Sequence, residues 1–491
     1  MAPRWVIQRD DRHAPTNNPP GATQATLELK MPLQELPAHT FKAYDIRGEF
    51  PDALNANFAT LLGRSLAARA TKAGVHALVI GYDGRLSSPE LAQALATGIH
   101  EGGVNTLDAG MVPTPLVYFA THTLGTGSGI AITGSHNPPQ YNGFKMMMAG
   151  SALYGDDITS LRTEMGTPKA LAQTPGHSET VNVIDAYIER IIGDLRLERP
   201  MKIAMDCGNG VAGAVAPALF RALGCEVVEL FCDVDGRFPN HHPDPADPKN
   251  LQDLMKAVQT SDCEIGLAFD GDGDRLGVVT KNAEIIWPDR QMILFARDIL
   301  QRLPNSQILF DVKCSRQLSE SITAAGGQPL MCRTGHSLVK AKLAETGAPL
   351  AGEMSGHIFF KERWFGFDDG LYTGARLLEI LSRSKDPTAV LEGLPNAFST
   401  PELKIEMKEG EPHAFISRLQ EQGSFAGATQ IITIDGVRVD YADGFGLARA
   451  SNTTPVVVIR FEGDTPMALD RIKAQFRQQL LAIDDSIRLP F

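Results

Sequence analysis

Residues Met201–Phe231 read MKIAMDCGNGVAGAVAPALFRALGCEVVELF, a short apolar strand, a glycine turn, a helix and a second strand. A unit of this kind predicts α/β layers around a mainly parallel sheet. The same grammar runs through the preceding block. NFATLLGRSLAARATKAG and SPELAQALATGIHEGG have helical spacing, while HALVIGYDG, GVNTLDAG and GIAITGS read as strands. It restarts downstream at SQILFDVKCSRQLSESITAAGG. In each block a later strand runs into a polar turn: AITGSHNP, IGLAFDGDGDR and PLAGEMSGH. The chain therefore reads as a three-fold repeat in pattern, though not in residue identity. Beyond LEGLPNAFSTPELKIEM, whose Pro and Ser/Thr content suggests a hinge near Pro395–Pro401, the pattern changes. ATQIITIDGVRVDY and TPVVVIRFEG look like strands and MALDRIKAQFRQQLLAI like a helix, predicting a smaller α+β domain.

A chain of 491 residues is long enough for about three or four domains. Its apolar content of 43% suffices for sizeable cores, and its charged content of 21% is that of an ordinary soluble protein. The formal net charge of -12 favours neither nucleic acid nor an anionic membrane as partner. The six cysteines, Cys207, Cys225, Cys232, Cys263, Cys314 and Cys332, form no C-x-x-C pair and read as reduced thiols of a cytoplasmic protein. No apolar run approaches the roughly 18 residues of a membrane span. The first 30 residues, rich in Pro, Asn and Thr, read as a disordered tail, with Met31 an alternative start.

The turns carry the chemistry. In FDGDGDR, alternate glycines let the backbone fold tightly enough to aim Asp270, Asp272 and Asp274 at one point. Three converging carboxylates require a cation, and oxygen ligands favour Mg2+ or Ca2+. An EF-hand loop is excluded: counted from Asp270, Arg275 stands where glycine is needed and Lys281 where a bidentate glutamate is needed. Arg275 is placed either to grip phosphate or to neutralise the aspartates. Ser135, at the end of a buried strand, is followed by His136, Asn137 and two prolines, a pattern that alone also fits a capped turn. It is no nucleophile elbow, because Thr133 and Asn137 occupy the required glycine positions. His136 offers a donor beside the hydroxyl, and Lys145 could complete a phosphate-attracting corner.

Glu353 and Ser355 in GEMSGH suit vicinal sugar hydroxyls, since a carboxylate accepts from two at once. RASNTTP, Arg449–Pro455, has the composition of an anion clamp or of a simple turn. Gly208, Gly210 and Gly213 stand in G-x-G-x-x-G register, with Asp233 20 residues beyond Gly213 where a ribose-binding acid would fall. On that stretch a dinucleotide oxidoreductase is a rival reading, although it accounts for neither the aspartates nor TGSHNP. A Mg2+-dependent sugar phosphatase would share the aspartates but has no need of both a serine loop and a distal clamp.

KAYDIRG, GYDGRLSS, TGSHNPPQYNGFK, FDGDGDR, GEMSGH with FFKERWFGFDDG, and RASNTTP occur in that order and together resemble the α-D-phosphohexomutases, most nearly their bacterial bifunctional phosphomannomutase/phosphoglucomutase branch. The resemblance covers about Phe41 to Phe491. It implies three topologically related α/β domains with mixed sheets and a smaller α+β C-terminal domain around a central cleft. The expected segments are a tail over 1–38 and domains over 39–181, 182–284, 285–396 and 397–491. It implies reversible phosphoryl transfer between positions 1 and 6 of mannose and glucose monophosphates, through a phosphoserine at Ser135 and a hexose 1,6-bisphosphate. One Mg2+ per chain would be held by Ser135, Asp270, Asp272 and Asp274. Glu353 and Ser355 would bind sugar, and Arg449, Ser451, Asn452 and Thr453 the distal phosphate. Tyr44, Arg47, Arg275, Lys313 and His336 look like further substrate contacts. His357, Lys145 and Arg47 are candidate acids or bases, with His136 beside the serine. Glucose 1,6-bisphosphate is the expected activator, phosphosugars are the expected partners, and the family favours a cytoplasmic monomer.

Overall fold

The computed structural model describes residues 36–167 and 169–491. The segment expected to be a disordered tail, with Met31, lies almost wholly outside the described residues. Between Ala77 and Phe360 the chain builds one four-stranded unit three times. In the first copy, strand Ala77–Tyr82 pairs in parallel with Asn105–Met111 on one side and Gly129–Ile132 on the other. Gly129–Ile132 then pairs antiparallel with Tyr141–Met148. In the second, Lys202–Asp206 lies in parallel between Glu226–Leu230 and Ile265–Phe269, and Ile265–Phe269 turns back antiparallel into Leu276–Thr280. In the third, Gln307–Asp311 lies between Gln328–Cys332 and Leu350–Gly352, and Leu350–Gly352 turns back into Ile358–Phe360.

This connectivity follows from strand geometry. A parallel neighbour can be reached only by a long crossover, and each copy supplies helices for it: Ser88–Glu101, Ala216–Ala222 and Arg316–Ala324 between the first two strands. An antiparallel neighbour needs only a turn, so the third and fourth strands are joined by one short polar segment. Those three segments are 133–140, 270–275 and 353–357. The first copy also carries edge strands Ile46–Glu49 and Ser178–Thr180. The motif TGSHNPPQYNGFK continues past its turn into a strand. The chain re-enters the sheet at Tyr141, and Lys145 pairs with Ala131 in the middle of a strand.

The three copies share their largest hydrophobic core, which runs through Phe119, Phe220, Leu267, Phe295 and Leu371. The C-terminal segment is separate: an antiparallel sheet covered by helices Glu411–Gln422 and Pro466–Ile483, with its own core around Phe461 and Phe476. It meets the third copy through a small apolar contact of Val312 with Phe445 and Leu447, and through buried arginines. Arg438 Nη1 donates to the carbonyls of Val312 and Cys314 at 2.7 Å each. No helix among the described residues is long and apolar enough to cross a membrane.

Candidate active site

The turn after Ile132 holds Ser135 at φ 48°, in the left-handed region. A serine stays there only if its surroundings over-determine it. They do. Thr133 Oγ1 accepts the Ser135 N–H at 2.7 Å and donates to Asp83 Oδ2 at 2.8 Å. Buried Arg85 forms the floor of the turn: its Nη2 donates to the carbonyls of Ser135 and Asn137 at 2.7 Å each, and its Nη1 to those of Pro138 at 2.6 Å and Tyr141 at 2.9 Å. Arg85 Nε reaches Asp83 Oδ2 at 3.0 Å. The serine hydroxyl is thereby aimed at the second copy and donates to Asp270 Oδ2 at 3.1 Å, with His136 Nδ1 at 3.2 Å.

The aspartate turn lies directly against the serine turn. A Cβ on Gly271 would fall 2.3 Å from the Ser135 carbonyl oxygen, so only glycine allows this approach. Asp270, Asp272 and Asp274 are fully buried, and one oxygen from each lies within 4.8 Å of the others. Lys145 Nζ sits between Asp272 Oδ2 at 2.8 Å and Asp274 Oδ2 at 2.5 Å, while Thr114 Oγ1 donates to Asp272 Oδ2 at 2.6 Å. Arg275 Nε reaches Asp270 Oδ2 at 3.0 Å and its Nη1 reaches Asp244 Oδ1 at 3.2 Å. Burial opposes the charge on Asp272, but Lys145 and the Thr114 hydroxyl outweigh it and hold the carboxyl well below its ordinary range. Burial and the neighbouring Asp274 push Asp270 up to about 7. Three carboxylates facing two cationic side chains keep a negative surplus, and Asp272 Oδ1 and Asp274 Oδ1 are buried without a hydrogen-bond partner. Orphaned hard oxygens of this kind fit a divalent cation such as Mg2+.

The third turn closes the opposite side. Glu353 Oε1 accepts the Gly335 N–H at 2.6 Å, and Ser355 Oγ donates to Glu353 Oε2 at 3.0 Å. Arg275 Nη1 donates to the Ser355 carbonyl at 3.3 Å, which ties this third turn to the aspartate turn. His357 Nδ1 lies 3.5 Å from Asp274 Oδ1 and 3.1 Å from Asp368 Oδ2. Burial alone would depress His357, but the two aspartates raise it above its ordinary value. His336 stacks on His357 at a ring separation of 5.6 Å and meets Tyr44 edge-on at 5.2 Å. Burial, with Arg275 and Arg47 nearby, holds His136 well below its ordinary value. Arg47 bridges Asn137 Oδ1 and Asp45 Oδ2, each at 2.5 Å.

From the C-terminal domain, Arg449 projects with its Nε on Asp435 Oδ2 at 3.0 Å and its buried Nη2 without a partner. Ser451 and Thr453 hydrogen-bond within their own turn, and Asn452 is half-buried beside them. Lys313 Nζ pairs with Glu402 Oε1 at 2.6 Å and lies 3.9 Å from Asp311 Oδ2, whose Oδ1 accepts the Met354 N–H at 3.1 Å. Many of the residues singled out from sequence are thus joined by direct contacts, whereas Lys313 and Arg449 pair with acidic residues outside that set and Ser451 and Thr453 bond within their own turn.

Several residues of this cluster carried no role in the sequence reading: Asp83, Arg85, Thr114, Lys340, Asp368 and Asp435. Lys340 Nζ donates to Asp368 Oδ1 at 2.8 Å and lies over the Tyr118 ring at 4.3 Å. Asp83 and Arg85 were visible within GYDGRLSS, but their partners stand some fifty residues away. The glycine fingerprint at 208–213 serves a different end from dinucleotide binding. Its first turn is a 3-10 turn, Val211–Ala214, and the Val211 N–H donates to the Gly271 carbonyl at 3.1 Å. An amide that would face a pyrophosphate instead supports the aspartate turn.

Comparison with known proteins agrees with this arrangement. Residues 38–169, 185–283 and 287–398 match the family models described as phosphoglucomutase/phosphomannomutase alpha/beta/alpha domains I, II and III, and 402–479 match that family's C-terminal domain. The chain is 55% identical over 439 residues to a phosphoglucomutase of Neisseria meningitidis, covering 89% of this chain and 95% of that one. It is 52% identical over 457 residues to the phosphomannomutase/phosphoglucomutase of Pseudomonas aeruginosa, covering 93% and 98%. A crystal structure of a family protein from Burkholderia thailandensis superimposes with a TM-score of 0.89 at 55% identity, covering 93% of this chain and all of that one. The fold extends to the Paramecium parafusin in its open form, with a TM-score of 0.72 at 17% identity and coverage of 92% and 97%. With all four domain models matched in order, the chain belongs to the phosphoglucomutase/phosphomannomutase family.

Proposed function

We propose that the protein moves a phosphoryl group reversibly between positions 1 and 6 of glucose and mannose monophosphates, with Ser135 as its carrier. The observation that carries this reading is the Ser135 hydroxyl, held in a left-handed turn and hydrogen-bonded at 3.1 Å to the first aspartate of the buried triplet. Asp270, Asp272 and Asp274, with the serine phosphate, would hold Mg2+, which would supply positive charge to the transferring oxygens. Arg85 and Thr133 hold the serine in line with its acceptor, so that little reorganisation is needed. Lys145, fixed between two carboxylates, acts as a permanent cation. His357, whose affinity for a proton is raised by Asp274 and Asp368, and His136, whose affinity is lowered by burial, are placed to give and take the proton of the sugar hydroxyl, with Arg47 holding the serine turn through Asn137.

Transfer from phosphoserine to a sugar monophosphate gives a 1,6-bisphosphate, which turns over in the cleft and returns its other phosphate to Ser135. Added glucose 1,6-bisphosphate serves as activator because it phosphorylates an empty serine. Glu353 and Ser355 grip hydroxyls 3 and 4, which occupy similar places in both orientations, and test nothing at carbon 2, where glucose and mannose differ. Arg449, Ser451, Asn452 and Thr453 hold the phosphate that is not reacting, with Lys313, His336, Tyr44 and Arg275 lining the path. The domain limits of this reading are 39–181, 182–284, 285–396 and 397–491. It carries with it a cytoplasmic monomer; the six cysteines are free thiols, as suits a reducing compartment.

Phosphorus NMR of the protein with mannose 1-phosphate, Mg2+ and a trace of glucose 1,6-bisphosphate tests the proposal. A mannose 6-phosphate signal should grow without free phosphate, and Ser135→Ala should abolish it. Net release of inorganic phosphate, or full turnover by Ser135→Ala, would refute it.

A further inference from the structure

Asp435 lies in the turn between strands Gln430–Ile432 and Val437–Tyr441 of the C-terminal domain. Gly436 beside it has φ 86°, and a Cβ there would fall 2.4 Å from the Ala448 carbonyl oxygen, so the turn hugs the strand that carries Arg449. One carboxylate oxygen, Oδ2, accepts twice. It takes Arg449 Nε at 3.0 Å within its own domain and the Thr334 N–H at 2.9 Å from the third domain. The next amide along, Gly335 N–H, goes to Glu353 Oε1, and His336 follows at the start of helix His336–Thr346. A single oxygen thus joins the arginine of the phosphate turn to the segment that orients the sugar-binding glutamate.

We infer that Asp435 is a positioning residue, a latch that holds the C-terminal domain against the third domain while the bisphosphate turns over, and so decides whether that intermediate is retained or escapes. The inference rests on the mutase reading above. The contact to Thr334 exists only while the two domains are together, and the contact to Arg449 leaves Nη2 of that arginine free for phosphate. Both donors meet the same oxygen, so asparagine keeps an acceptor for each but loses the negative charge that strengthens the bonds, whereas alanine loses the acceptor altogether.

The test uses the full-length protein with glucose 1-phosphate, Mg2+ and a titration of glucose 1,6-bisphosphate, for wild type, Asp435→Asn and Asp435→Ala. Bisphosphate released from phosphorylated enzyme after one monophosphate addition is measured in parallel by mass spectrometry. Loss of a charge-assisted hydrogen bond between the domains should raise the half-saturating bisphosphate concentration roughly tenfold to a hundredfold. The maximum rate should fall far less, and released bisphosphate should rise in step. Asp435→Asn should fall between wild type and Asp435→Ala. Wild-type half-saturation with wild-type release in Asp435→Ala would overturn the latch. So would a loss of rate equal at every bisphosphate concentration, which is the mark of a merely structural residue. If wild type forms no glucose 6-phosphate at all, the mutase reading itself falls, an outcome distinct from the others.

Discussion

Replacing Arg85 by methionine should disable Ser135 without touching the sugar. Arg85 is 1% exposed, and its partners are Asp83 and four carbonyls of the serine turn, those of Ser135, Asn137, Pro138 and Tyr141. Methionine fills much of the volume but removes all four donations to those carbonyls and leaves Asp83, 3% exposed, without its cation. Breaking a buried pair in this way costs about 3–5 kcal/mol. At about 1.4 kcal/mol per decade, the turn should open at least a hundredfold more often. Hydrogen exchange reads this directly at the amides of Ser135 and Asn137, which are bonded to Thr133 Oγ1 and the Gly134 carbonyl. A serine displaced by about 1 Å should lose on the order of a hundredfold in kcat, with KM for glucose 1-phosphate little changed. Arg85→Lys keeps a charge for Asp83 but loses the planar fork, and should fall between the two. Wild-type exchange and wild-type kcat in Arg85→Met would refute the account of how the serine is held.

Two further substitutions probe the other turns. Asp272→Asn removes the carboxylate shared by Lys145 and Thr114; calorimetric titration should show Mg2+ affinity falling at least about tenfold, and chelator should arrest wild-type turnover until Mg2+ is restored. Glu353→Gln should impair glucose and mannose phosphates to the same degree, since its partners Gly335 and Ser355 do not distinguish carbon 2; a selective loss of one sugar in paired kinetic assays would contradict that.

The three turns were legible in the sequence because each is a local object: a strand, then a run of polar and glycine residues within a few positions. FDGDGDR declares its own chemistry, since nothing but a cation reconciles three adjacent carboxylates. What sequence reading could not supply was the company each turn keeps. Thr114 meets Asp272 across 158 positions and Lys145 meets it across 127, and neither pairing leaves a local trace. Lys145 was expected near the serine corner, and it reaches the aspartate turn from mid-strand because the antiparallel return carries it there. The G-x-G-x-x-G register misled for the same reason. It describes a tight strand-to-helix turn faithfully, but what that turn faces, here Gly271, is decided by packing.

The repetition of one strand order three times has a historical consequence. In every copy the connection between the third and fourth strands falls at the same end of the sheet, and in every copy that connection faces the same central space. A tandem triplication of one ancestral segment would bring three equivalent loops face to face before any of them had a task. Divergence then needed only to rewrite loops, which on the function proposed here became one for a nucleophile, one for a cation and one for a sugar, while the strands beneath kept their pairing. The site of such a molecule belongs to no single copy; it arises at the junction, where the turns of different copies bond to one another.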